Sequence, residues 1–426
     1  MVRSVHDLIP GGAHTYSKGD DQFPANAPRF LERGEGAYVW DDNGNKFLDW
    51  TMGLRTITLG YGYKPVLDAA MEQMWKGSNF GRPSRIEGDT AQDLLSLVPR
   101  AEMVKFAKNG SNVTTAAVKL ARAYTNREMV AICSDHPFFS FDDWFIGSTP
   151  CAAGVPQSTR DLTVGFRYND LQSVERIFDE HDDVACLIME AATSEPPRND
   201  FLQSVRELCR KHGSVFILDE MITGFRWHNG GAQTYFDIDA DLSTFGKAMG
   251  NGFAIAAVAG KREIMQIGGL HHDTPRVFLL SATHGAENHA LAAARAVIEA
   301  YREQPVVEQI WRAGRDLMAG LKAAAGDAGV GSHFETYGYP CSPYFVCKDE
   351  AGSASAGFRT LFLQEMVRQG VVINYIAPSI AHQAPEIEKT VEAARRSFAV
   401  YVRALNDGVD GFLEGPVVKP VFRVFN

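Results

Sequence analysis

The stretch FLQSVRELCRKHGSVFILDEMITGFRW, residues 201–227, decides how the chain folds. Its first half, 201–213, reads as an amphipathic helix stopped by Gly213. A short apolar run, SVFILDE (214–220), follows at once and ends on two acids, Asp219 and Glu220, before a Thr-Gly turn. An amphipathic helix feeding directly into a buried strand is the joint of an α/β sheet. Working outward, MVAIC (129–133) and VACLIME (184–190) are further short apolar strands among helical patterns that run from about residue 65 to 320. This alternation predicts an α/β domain around a mainly parallel central sheet with helices on both faces.

The chain ends read differently. GAYVWDDNGNKFLDW (36–50) predicts two short strands around the turn Asp42-Asn43-Gly44. Beyond about residue 325 a strand at YFVCKD and helices at TLFLQEMVRQG and EIEKTVEAARRSFAVYVRAL form a mixed order. The expected division is an N-terminal segment 1–60 that joins a C-terminal 323–426 in a smaller α+β domain, with 61–322 as the large domain.

In open α/β sheets ligands gather outside the carboxyl ends of the strands, and three polar clusters fall at such ends. In FAKNGSNVTTAAVKLARAYTNRE (106–128) a turn at Asn109-Gly110-Ser111 opens into a helix. Unpaired N–H groups there can hold a phosphate, or Ser111 or Asn112 can simply cap the helix. In the second cluster Asp219 either caps the sheet edge or faces a cationic ring nitrogen, which would lower its pKa and keep it ionised despite burial. The third is LSTFGKAMGNGFAIAAVAG (242–260), where a lone Lys247 sits among Phe245, Gly246, Ala248 and Met249. A lysine on a turn is ordinarily exposed, whereas a sheltered one can attack a carbonyl and form a Schiff base. Lys247 is followed by Ala248, so the spacing of a phosphate-binding Walker loop fails. No G-x-G-x-x-G follows a predicted strand, so a nicotinamide site lacks support. The clusters together call for a ligand with a phosphate, a protonatable ring nitrogen and an aldehyde, a description that pyridoxal 5′-phosphate meets.

These residues also carry a family resemblance. The chain resembles the class III aminotransferases, fold type I pyridoxal-phosphate enzymes, and within them the glutamate-1-semialdehyde aminomutase-like branch. The likeness runs through IPGGAHTYSKGDDQFP, LGYGYKPV, NGSNVTTAAVKLARAYTNRE, LDEMITGFR, STFGKAMGNG and ATHGAENHALAAA. It implies that Lys247 forms the Schiff base and moves the substrate proton, that Asp219 pairs with the pyridinium nitrogen and that Met221 packs on the ring. It further implies phosphate binding by Gly110 and Ser111, places for Asn109 and Glu190 in the cofactor site, and a phosphate contact from Thr283 across a homodimer interface. Where the family reads Tyr-His-Gly, this chain reads DHPFFSFDDWFIGST (135–149). Aligning on Asp143-Trp144-Phe145 makes Phe138 the stacking ring; aligning on His136 would put Asp135 there, which cannot stack. Lys18 occupies the place of an arginine that grips the aminomutase substrate's carboxylate, and lysine lacks the bidentate fork. His14, Tyr16 and Lys18 are accordingly the expected substrate residues, suited to a hydroxylated or acidic molecule. Glu195 matches a glutamate that gates a carboxylate-binding arginine in some relatives, with no partner evident here.

Composition sets the outer bounds. Lysine and arginine number 42 against 52 acids, a net charge of −10, which disfavours a nucleic-acid partner. The six cysteines form no CxxC pair and no zinc spacing, and His271-His272 is read as a polar loop, so no metal is expected. The opening MVRSVHDLIPGG lacks a signal-peptide core, no run is apolar enough for a membrane span, and a cytoplasmic location is expected. The expected function is amino transfer from an amino acid donor, glutamate in first place, to a keto or aldehyde acceptor such as a sugar or sugar acid. The alternatives are a 2,1-aminomutase acting within one molecule and a non-catalytic protein that has kept the fold.

Overall fold

A computed structural model describes residues 4–136 and 138–425. The chain divides into two compact units, one formed by residues 64–307 and the other by residues up to 63 together with those from 308 onward. The expected boundary at 322/323 falls inside the continuous helix Val306–Asp327, and the division lies at the start of that helix instead.

The chain-end unit begins with β1 (Leu31–Glu35), β2 (Tyr38–Asp41) and β3 (Lys46–Asp49). The larger unit contributes β4 (Met103–Ala107), β5 (Met129–Cys133), β6 (Thr163–Phe166), β7 (Val184–Met189), β8 (Val215–Asp219), β9 (Leu242–Phe245) and β10 (Ala256–Gly260). These seven form one sheet in the order β4-β10-β9-β8-β7-β5-β6. Only β10 runs against its neighbours; the other six are mutually parallel. Every residue of β7 and β8 is buried, as a strand covered by helices on both faces requires. The helix Phe201–His212 joins these two strands and ends at Gly213, whose φ of 66° is the left-handed cap glycine adopts without strain. Because the strands are parallel, Asp219 at the end of β8 and Asn109, His136, Glu190 and Lys247 just beyond theirs all lie on the same edge.

The chain-end unit is completed by the hairpin β11 (Phe334–Tyr339) and β12 (Ser342–Cys347), by β13 (Val371–Val372), and by the helices Ala356–Arg368 and Ala384–Asp407. Asp41 holds the β2–β3 turn by accepting from the amides of Asn43 and Asn45. After β3 comes a single left-handed turn: Met52, Gly53, Leu54 and Arg55 all have φ between 45° and 69°. For residues with a Cβ this costs roughly 1–2 kcal/mol each. Buried Asp49 holds the turn, accepting from the amides of Thr51 and Met52 and from the hydroxyls of Thr51 and Tyr61. Among the described residues no helix is long and apolar enough to cross a membrane, and none of the six cysteines is in a disulfide.

Candidate active site

Lys247 begins a one-turn 3-10 helix directly after β9. Its own φ is 43°, and its half-buried side chain leaves a backbone flanked by the fully buried Phe245 and Met249. One strand over, Asp219 closes β8 and is 1% exposed. Its Oδ1 accepts from the Met221 amide at 2.8 Å and the Thr244 hydroxyl at 3.1 Å, while Oδ2 is buried with no partner. Burial pushes the Asp219 pKa up to about 6, against the Met221 amide, the Lys247 charge and Thr244, which all pull it down. In the protein alone Lys247 does not offset the desolvation; the lowering expected from a cationic ring nitrogen would require a second cation at Oδ2.

Met221 connects the strand ends. A Cβ built on Gly110 would lie 2.9 Å from its sulfur, and one built on Gly246 would lie 2.8 Å from it. The thioether thus packs on both glycines, which must lack side chains to admit it. Gly110, Asp219, Met221 and Lys247 are brought together in this way.

At the phosphate candidate, the cap is Asn109, whose Oδ1 accepts from the Asn112 amide at 3.0 Å. This corrects the reading of Ser111 or Asn112 as the cap. Ser111 is buried and accepts from the Phe141 amide at 3.0 Å, tying the helix to the loop that carries Phe138. Thr114 donates to the Phe139 carbonyl at 2.8 Å, and Thr115 bonds to Asp142, strengthening the same tie. Phe138 is 45% exposed and packs edge-on to Phe145, while Phe139 is buried in the core.

Two supports escaped the sequence reading. The buried His136 accepts the Glu190 amide on Nδ1 at 3.1 Å, which joins the ends of β5 and β7. Desolvation pushes its pKa down to about 4, so the ring is neutral and Nε2, which has no protein partner, carries the proton. Lys108 pairs with Glu287, which anchors the loop bearing Thr283 beside the residue preceding Asn109. Thr283 itself is exposed, and its carbonyl accepts from Asn79 at 3.0 Å. A lysine before N-G-S was the one available signal for that ion pair.

The remaining candidates are on the surface. His14, Tyr16 and Lys18 are exposed on the N-terminal turns of the chain-end unit. Glu195 is exposed and pairs with Arg198 at 3.1 Å. His272 bonds to Thr274, and no group of three or more metal-suited side chains occurs among the described residues.

Comparisons with known proteins identify the family. The family model for Aminotransferase class-III matches residues 20–394. A glutamate-1-semialdehyde 2,1-aminomutase from Desulforamulus reducens is 33% identical, covering 93% of this chain and 96% of its own. Among solved structures, the Sphingopyxis sp. MTA144 FumI protein in its PLP form is 25% identical with a TM-score of 0.86, covering 95% and 96% of the two chains. An omega-transaminase from Sphaerobacter thermophilus is 25% identical with a TM-score of 0.82, covering 92% and 95%. The architecture is that of fold type I, and the chain belongs to the class III aminotransferases. It is an enzyme that uses pyridoxal phosphate and acts on small molecules. The orphaned Oδ2 of Asp219 and the glycine-lined bed of Met221 suit the nitrogen and face of that cofactor's ring.

Proposed function

We propose that the enzyme moves an amino group from an amino acid donor, glutamate in first place, to a keto or aldehyde acceptor of the sugar or sugar-acid class. The observation that carries the site assignment is the buried, unpartnered Oδ2 of Asp219 at the strand end beside Lys247. Pyridoxal phosphate, when bound, supplies an electron sink for the substrate α-carbon. Lys247 Nζ is the covalent anchor and the group that takes up and returns the α-proton. Asp219 Oδ2 holds the proton on the ring nitrogen. Met221 supports one ring face, Phe138 covers the other, and Asn109, Gly110 and Ser111 receive the phosphate, with Glu190 completing the wall. His14, Tyr16 and Lys18 are assigned to the substrate, and their polar character supports the acceptor class.

Assembly as a homodimer, with Thr283 serving the partner's phosphate, is part of the same reading. The helix Lys64–Lys76 supports it by leaving Leu67, Met71, Met74 and Trp75 exposed at helical spacing, the last 92% exposed. A cytoplasmic location completes the proposal, supported by six cysteines, none of them in a disulfide.

The second reading is a 2,1-aminomutase, favoured by the names of relatives 31–33% identical. Incubation of the loaded enzyme with glutamate separates the two. Stoichiometric release of 2-oxoglutarate with loss of the visible absorbance supports the transaminase. A spectrum that does not move with glutamate or any other amino acid donor counts against it.

A further inference from the structure

A carboxylate at the start of a long helix ordinarily caps it, accepting from the first free amides. Glu287 stands at that place before the helix Asn288–Glu303, yet its side chain accepts from none of them. It reaches instead to the loop after β4, where Oε2 pairs with the Lys108 ammonium, 179 positions away in the chain. The other oxygen, Oε1, lies 3.0 Å from Nδ1 of His284, in the loop that carries Thr283. His289, in the first turn of the helix, places Nε2 3.9 Å from Oε2, and its ring meets Phe253 edge-on at 6.2 Å. Phe253 belongs to the segment that follows the turn of Lys247.

Lys108 pairs with no other acid among the described residues, and its bond holds the Glu287 carboxyl below the usual carboxylate range. The pair is sheltered, the Glu287 side chain being 16% exposed and that of Lys108 35%. Shelter from water and salt lets a charge pair hold its partners more firmly than one at the open surface. The helix start is fixed independently of this pair. Asn288 donates its amide to the Ser78 carbonyl at 2.9 Å, and Asn79 donates to the Thr283 carbonyl at 3.0 Å. Glu287 is thus a fixed post, and Lys108, which immediately precedes Asn109, tethers the loop Asn109–Ser111 to it.

We propose that Glu287 is a positioning residue for the cofactor: by clamping Lys108 it fixes the loop Asn109–Ser111 against the start of the helix Asn288–Glu303, and so sets how tightly the phosphate is held. This rests on the assignment of Asn109, Gly110 and Ser111 to the phosphate. Lys108 then serves that loop as a tether, with its charge spent on Glu287 and not on the ligand.

The test is equilibrium titration of the cofactor-free full chain with pyridoxal phosphate. Charge and clamp act with opposite signs. Through its charge alone Glu287 repels a phosphate, and Glu287→Gln would tighten binding; as a clamp it favours binding, and Glu287→Gln is expected to weaken it about tenfold. The double variant with Lys108→Met should bind no more weakly than Lys108→Met alone, because both substitutions remove the same contact. The charge-swapped pair, Lys108→Glu with Glu287→Lys, should recover part of the affinity, and it carries the comparison if a single variant fails to fold. Melting of the cofactor-free variants separates positioning from plain stability. A lower melting temperature with unchanged affinity overturns the proposal, as does tighter binding in Glu287→Gln or additive losses in the double variant. Asn109→Asp, titrated alongside, keeps the two readings apart. Weaker binding in Asn109→Asp with none in Glu287→Gln removes the clamp and leaves the phosphate site. Weaker binding in Glu287→Gln with Asn109→Asp unchanged removes Asn109 from the phosphate site and leaves Glu287 as a positioning residue.

Discussion

Asp219 and Glu220 are neighbours at the end of β8, each 1% exposed, and burial raises the pKa of both, to about 6 and about 7. Their hydrogen bonds differ. Glu220 accepts from the Ala232 and Gln233 amides at 2.8 Å each and from the Thr223 hydroxyl, so both of its oxygens are in use. Asp219 has one oxygen satisfied and one bare. A buried charge whose partners are all in the fold serves the fold, whereas one with an open oxygen awaits a ligand. The sequence DE presents both residues identically, and only the tertiary partners separate them.

The largest expected effect removes the amine at the neighbouring strand end. Lys247→Ala should lower turnover about 10⁴-fold, the upper end for loss of an acid–base group, and abolish the covalent absorbance band. Retention of either in that variant breaks the assignment of this edge as the active site.

Asp219→Asn should keep cofactor binding while lowering kcat about 10²-fold or more. Its effect on the cofactor-free protein should have the opposite sign. The folded pKa of about 6 lies above the ordinary 3.8, so ionisation costs stability, and the cost grows as pH rises from about 4 to 6 and is complete above that. The shift corresponds to about 3 kcal/mol at most. At pH 8 the apo variant should therefore melt at a higher temperature than the wild type, with the gap closing at pH 4. Equal melting at both pH values would show that Asp219 is not a strained buried charge.

Glu220→Gln should move stability the other way, losing about 1–3 kcal/mol because the new amide faces donors where an acceptor stood. Denaturant unfolding of the apo protein reads this directly. If both substitutions stabilise, the distinction between the two acids is lost.

The same contrast explains what could be read before folding. β5 was legible to the residue, and β7, β8 and the helix Phe201–His212 to within one residue at either end, because continuous apolar runs and a glycine stop are local signals. Lys247 and Asp219, the proposed anchors of the site, were candidates because one is a lone charge in an apolar stretch and the other closes an apolar strand. His136 on Glu190, Lys108 on Glu287 and Met221 on two glycines were not legible, since each joins residues at least 25 positions apart through strand order. The left-handed turn at Met52–Arg55 was hidden for a related reason: Asp49 and Tyr61 hold it against the preference of its own residues.

Between these scales lies the bed of Met221 on its two glycines, proposed to support the ring. Gly110→Ala and Gly246→Ala each push a methyl to within 3 Å of the Met221 sulfur, and the thioether can yield only by leaving its place. Overpacking of this kind costs about 1–3 kcal/mol, and each variant should bind the cofactor more weakly, measured by equilibrium titration of the apo protein. Met221→Ala combined with Gly110→Ala should recover part of the loss. Absence of recovery would mean that the glycine is required by the phosphate and not by the sulfur.

The smallest effect concerns the helix cap at the same edge. Asn109 satisfies the Asn112 amide, and Asn109→Ala should cost the apo protein about 1 kcal/mol, as loss of an N-cap does. Asn109→Asp preserves the acceptor and adds a negative charge at a helix N-terminus, which favours the isolated helix. A phosphate arriving at that terminus would be repelled by the same charge. The aspartate variant should thus be at least as stable as wild type without cofactor and weaker in cofactor affinity, and a variant equal to wild type in both would remove Asn109 from the phosphate site while leaving its role as a cap.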